Sequence, residues 1–259
     1  MVSVDPSMIL PNFVLTTRQN QVWSTSGLDS LEECVSKSFF NHYPYEVSYK
    51  FNSRGFRDEE WPETVEELRN CIWCFGDSFT VGMGCPYDSI WTKKLEKITG
   101  IRTINISMDG ASNEWISRKV ISIIKQISPK FVVIHWSYFD RREDPDTSLI
   151  DEDRRISLLS NKDYQSNKNI KVLSENLKNT LRCIKKVESL NHHKVIHSII
   201  NDEINSYPFP TRKTIHNSVE SIAKHYIPFI DKVDYARDGH HYGIQTSELF
   251  VDKVVKFIY

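Results

Sequence analysis

The sequence predicts a three-layer α/β/α fold built on a parallel sheet of five strands, with an N-terminal extension packed on it. Three observations carry that expectation. Cys71–Gly76 is a short apolar run closed by glycine, which reads as a strand buried on both faces, as parallel strands are. Downstream of it, short apolar runs alternate with amphipathic segments in the manner of βαβ units. The chain, at 259 residues, is long enough to bury a full core.

Residues 1–65 stand apart. They carry Pro6, Pro11 and Pro44, scattered aromatics and little helical periodicity outside Leu28–Lys37. Glu46–Phe51 alternates well enough for a strand, and Asn52-Ser53-Arg54-Gly55 closes it with a turn. The apolar content is thin for an independent domain, so residues 1–65 read as an extension and 66–259 as the main domain.

In the main domain a short helix, Glu63–Asn70, feeds the strand at Cys71–Gly76. A glycine-punctuated loop and an amphipathic helix over Tyr87–Ile98 follow. Thr103–Ser107 is the second strand. Asn113–Ile127 places Trp115, Ile116, Val120, Ile123, Ile124 and Ile127 at helical spacing. Phe131–His135 is the third strand. Arg141–Lys168 is a polar stretch too long for a simple connection, as functional lids and surface loops are. Asn169–Leu190 is the longest helix and Lys194–Ile200 the fourth strand. Thr211–His225 is a helix, Pro228–Val233 the fifth strand, and Gln245–Ile258 the closing helix. The expected strand order is flavodoxin-like.

Composition narrows the function classes. Lys and Arg number 33 against 34 Asp and Glu, for a net charge of −1, so no basic surplus points to nucleic acid or an anionic membrane. No apolar run approaches the ~20 residues needed to cross a bilayer. The start, MVSVDPSMILPNFVL, lacks a basic region and a small-residue cleavage pattern, so no signal peptide is expected. Five cysteines without framework spacing suit a reducing compartment. The expected location is cytoplasmic, or with a virion or host.

Two constellations carry chemistry. Gly76-Asp77-Ser78 ends the first buried strand, which sets a hydroxyl at the carboxyl edge of the sheet, where open α/β folds bind ligands. Asp238-Gly239-His240-His241 stands just before the last helix, and three-residue spacing lets the carboxylate fold back onto Nδ1 of His241. Ser78, His241 and Asp238 together suffice for acyl transfer: the imidazole takes the serine proton, and the carboxylate fixes its tautomer.

In these blocks the chain resembles the SGNH, or GDSL-type, serine hydrolases. Gly76-Asp77-Ser78-Phe79-Thr80 looks like the block with the nucleophile, and Asp238-x-x-His241 like the last block. Gly110 sits where the family has its oxyanion glycine. Asn52-Ser53-Arg54-Gly55-Phe56-Arg57 is similar to a segment that precedes the first block in bacterial and phage members. The resemblance implies a carboxylic ester hydrolase working through an acyl-enzyme, without metal or organic cofactor. Its substrate would be a small ester or an O-acetylated glycan, with Trp136, Tyr138 and Tyr242 as candidate sugar-stacking rings. A non-catalytic glycan-binding or virion-associated structural module on the same fold is the alternative.

One block departs from the family. After the third strand, where members carry Gly-x-Asn-Asp and the Asn completes the oxyanion hole, this chain has His135-Trp136-Ser137-Tyr138-Phe139-Asp140-Arg141. Ser137 and Asn113 are the two side chains placed to supply the missing donor. The remaining reactive residues have plainer readings. Asp77 suits a turn-fixing role, and Cys71 and Cys74 point to opposite faces of a strand rather than to one metal ion. His135 and His197 read as hydrogen-bonded core or rim residues. Arg141–Asp144 and Asp151–Arg155 read as solvated charge.

Overall fold

The computed structural model describes residue 10 and residues 13–26, 29, 43–139, 141–143, 170–192, 194–200 and 211–259. Apart from Asp29, the helix expected at Leu28–Lys37 lies outside these residues, as does most of the polar stretch at Arg141–Lys168. Two short strands, β1 (Val22–Trp23) and β2 (Tyr49–Lys50), pair antiparallel in the N-terminal segment. The main sheet holds β3 (Ile72–Gly76), β4 (Thr103–Ser107), β5 (Phe131–Trp136) and β6 (Val195–Ile199), all parallel. The helices are α1 (Val65–Asn70), α2 (Ser78–Val81), α3 (Trp91–Thr99), α4 (Asn113–Gln126), α5 (Ile170–Glu188), α6 (Arg212–Glu220) and α7 (Ile244–Ile258).

The order across the sheet is β4-β3-β5-β6. The first strand therefore lies between the second and the third, and the winding reverses between β3 and β5. That crevice, at the carboxyl ends of the strands, is where doubly wound sheets take their ligands.

Alternation along each strand sends side chains to two cores. Trp73 and Phe75 of β3, with Ile104, Ile106, Val132 and Ile134, pack against α4, α5 and α6 through Ile116, Ile184 and Ile215. Ile72, Cys74 and Val133 pack the other way, against Trp91 and Leu95 of α3 and Phe250 and Val254 of α7. Cys71 joins the first core and Cys74 the second, and burial pushes the Cys71 thiol up to about 11. Phe13, Leu15, Phe56 and Trp61 of the N-terminal segment belong to the same core as Trp73.

The fifth strand expected at Pro228–Val233 is a correction: among the described residues the parallel sheet has four strands. The chain touches the β6 edge through one isolated bridge, His197 to Tyr226, flanked by the His197 N–H on His225 and the Ile227 N–H on His197. Beyond it Val233 is 55% exposed and Asp231 is exposed. A stretch that leaves these groups in water lacks the two-sided apolar content that a parallel strand buries.

The helix at Thr211–His225 is also shorter than expected, ending at Glu220. The loop expected after Ser78 opens instead with the helical turn α2.

Candidate active site

The site is assembled by three loop ends at the carboxyl edge of the sheet. The first is the turn from β3 into α2. Gly76 permits it, since a Cβ there would lie 2.0 Å from the Thr80 hydroxyl oxygen. Asp77 is the N-cap of α2, its Oδ1 accepting the Phe79 N–H at 3.1 Å. Ser78 is thus the first helical residue, with its own N–H facing outward from the helix start.

The second loop runs from Asp234 to Gly243. Asp234 caps α7, accepting the Gln245 N–H at 2.9 Å and the Thr246 N–H at 2.8 Å. Gly243 is required there, because a Cβ would meet the Asp234 carboxylate at 2.3 Å. Within this loop Asp238 Oδ1 accepts the His240 and His241 N–H groups at 2.8 and 2.9 Å. Asp238 Oδ2 lies 2.5 Å from His241 Nδ1, and His241 Nε2 lies 2.7 Å from Ser78 Oγ. The carboxylate accepts a hydrogen bond from the Nδ1–H, which keeps the proton on Nδ1 and presents Nε2 to the hydroxyl as an acceptor.

The three side chains are closed off from water, with Ser78 0%, His241 1% and Asp238 2% exposed. Burial pushes the Asp238 carboxyl up. The charge His241 carries when protonated, with the hydrogen bonds from His241 and His240, outweighs burial and holds the carboxyl below its ordinary value.

The same loop is tied to the N-terminal segment. The Arg237 N–H donates to Gly84 at 2.9 Å, and its guanidinium meets buried Asp29 at 2.6 Å. Tyr49 donates to Asp29 at 2.7 Å and accepts the Gly84 N–H at 2.7 Å. Arg57 lies over the Tyr49 ring and donates to the carbonyl of Val81, the last residue of α2, and to those of Gly82 and Cys85 beyond it. None of this anchoring is readable from the spacing of the motifs.

The third loop follows β5. The Ser137 hydroxyl donates to Asp77 Oδ2 at 2.7 Å, and its N–H donates to Asn113 Oδ1 at 2.8 Å. The Asn113 amide donates to the Ser137 carbonyl at 3.1 Å and to Thr180 at 2.8 Å. Both side chains expected to complete an oxyanion hole are therefore engaged elsewhere. Arg141, expected in solvent, is 14% exposed and ion-paired with Asp77 at 2.5 Å. The N–H groups of Ser78 and Gly110 make no hydrogen bond among the described residues. Gly110 holds the left-handed conformation at φ 75°, which turns the loop after β4.

Phe79 packs against His241, with ring centres 4.6 Å apart, and against Tyr138, Tyr242 and His135. Of the three rings expected to stack on a sugar, Trp136 is fully buried and donates to His197 Nδ1 at 3.0 Å, so it belongs to the core. Tyr242 is buried too, while Tyr138 keeps part of its surface in water. His135 departs from the hydrogen-bonded core role. It is buried among Phe79, Tyr242 and Phe250 with both ring nitrogens unpartnered among the described residues, and burial pushes it down to about 3. His197 fits that role, bonded to Trp136 and to Glu188 at 3.0 Å.

No protein-family model and no curated protein matches the chain. Among solved structures it is similar to TesA, at 14% identity over 73% of this chain and 97% of that one, with a TM-score of 0.47. It is also similar to the psychrotrophic esterase EstA from Pseudoalteromonas sp., at 17% identity over 73% and 96% of the two chains, TM-score 0.46. The lipase/acylhydrolase from Enterococcus faecalis is a third, at 19% identity over 73% and 95%, TM-score 0.41. Among the described residues no group of three or more His, Cys, Asp or Glu is arranged to hold a metal ion, and no helix is long and apolar enough to cross a membrane.

Proposed function

We propose that the protein is a serine hydrolase of carboxylic esters, acting through an acyl-enzyme on Ser78. The observation that supports this reading is the unbroken run from Ser78 Oγ through His241 to Asp238, at 2.7 and 2.5 Å, in a water-poor setting. Ser78 Oγ attacks the ester carbonyl while His241 Nε2 takes its proton. The same nitrogen then protonates the departing alcohol. Water, deprotonated by His241, attacks the acyl-enzyme and returns the serine. Asp238 holds the imidazole tautomer. The N–H groups of Ser78 and Gly110, which make no hydrogen bond among the described residues, suit an oxyanion, which needs donors that are not already spent.

The substrate class that follows from the resemblance is a small ester, with the O-acetyl ester of a glycan as its finer form. Tyr138 is the ring with surface left for a sugar.

A fluorophosphonate probe and turnover of p-nitrophenyl acetate test the reading. Labelling and turnover that both vanish in Ser78→Ala and His241→Ala support it. Well-folded wild type that neither labels nor turns over would favour the binding-module alternative.

A further inference from the structure

We propose that Arg141 is the side-chain donor to the oxyanion, a role that rests on the ester-hydrolase reading of Ser78. In the attacking step a bond forms between Ser78 Oγ and the carbonyl carbon. The serine proton moves to His241 Nε2, and the carbonyl π pair moves onto oxygen. The new negative charge needs donors that meet it without rearranging.

Two side chains near the nucleophile's turn had the right chemistry, and both are committed: Ser137 to Asp77, and Asn113 to Ser137 and Thr180. Arg141 has donors to spare. Its Nη1 donates to Asp77 Oδ2 at 2.5 Å and to Ser137 Oγ at 3.0 Å. Its Nε and Nη2 make no hydrogen bond among the described residues. The fork is anchored on the residue immediately before Ser78, so it belongs to the wall of that turn.

The ring contacts agree. The guanidinium lies 4.7 Å from the centre of the Tyr138 ring, Tyr138 packs on Phe79, and Phe79 packs on His241. A guanidinium pinned by one arm keeps its remaining N–H groups in a fixed plane, and a charged donor is stronger than the amide it replaces.

The test uses the full chain with p-nitrophenyl acetate, rates being normalised to protein that retains its far-ultraviolet circular dichroism. Arg141→Ala is expected to lower kcat and kcat/KM together by roughly tenfold to a thousandfold, with KM within about twofold. Arg141→Gln keeps an amide for Asp77 and Ser137 without the charged fork. It should show the same pattern, and it stands in if the alanine variant fails to fold.

A purely structural role, neutralising Asp77, is separated by adding Asp77→Asn to Arg141→Ala. The double variant should stay as slow as Arg141→Ala, and recovery toward wild type would overturn the proposal. An unchanged kcat, or a rise in KM alone, would overturn it too. Wild type without Ser78-dependent turnover would instead remove the hydrolase reading itself, and the proposal with it.

Discussion

Two regions meet over Ser78, and they are held in opposite ways. Within the 234–243 loop, which Arg237 ties to the N-terminal segment, the turn from Asp238 to His241 satisfies itself: Asp238 collects two N–H groups and an imidazole from its own turn, and Asp234 caps the helix that follows. The end of β5 and the residues after it look outward. Ser137 and Arg141 bond to Asp77, Ser137 binds Asn113, and the His135 ring nitrogens have no hydrogen-bond partner among the described residues. A loop closed by local bonds carries its geometry in its spacing. A loop held by distant partners does not.

The contrast can be broken most sharply at Asp238. If the loop alone sets the imidazole, Asp238→Asn should lower kcat roughly 10⁴-fold by presenting the wrong tautomer, with the fold intact. Steady-state turnover of p-nitrophenyl acetate reads this, and a loss below tenfold would mean that something outside the loop orients His241.

The next effect is in stability. Asp29→Ala takes the carboxylate away from the buried Arg237 guanidinium, a change that costs about 3–5 kcal/mol where a buried ion pair is broken. Urea unfolding measures it. A shift below ~1 kcal/mol would show that the 234–243 loop stands without the N-terminal segment.

Asn113→Ala probes the outward-looking region. It strips the acceptor from the Ser137 N–H and the donor from Thr180, for about 1–3 kcal/mol of stability per group left unpaired. The loss should appear in the urea midpoint rather than in kcat. A tenfold fall in kcat at full stability would return Asn113 to the oxyanion.

The last effect is on acid sensitivity. His135 is pushed down to about 3 by burial, so between its unfolded value of ~6.5 and about 3 the unfolded chain binds the extra proton. Stability therefore falls as pH drops through that window, and His135→Phe should flatten the fall. Asp238, held below its ordinary value, adds stability above the unfolded carboxyl value of ~3.9 and loses it only at lower pH. Thermal unfolding from pH 3 to 7 separates the two. An unchanged slope above pH 4 in His135→Phe would mean that the buried imidazole is not the group being protonated.

The sequence alone determined the layers and the local turns. Two-sided apolar runs such as Cys71–Gly76, and helical spacing such as Trp115 to Ile127, dictate burial whatever surrounds them, because period and hydrophobicity act over a few residues. The three-residue spacing of Asp238 and His241 is of the same kind. Tertiary structure alone decided what Pro228–Val233 became, since a strand at a sheet edge depends on whether its outer face is covered. It also decided that Ser137 spends its proton on Asp77 and that Arg141, 64 positions along the chain from that carboxylate, leaves solvent to join it. Each of those outcomes is a pairing between groups brought close by the winding of β3 beside β5, and a charge has no partner until the chain has supplied one.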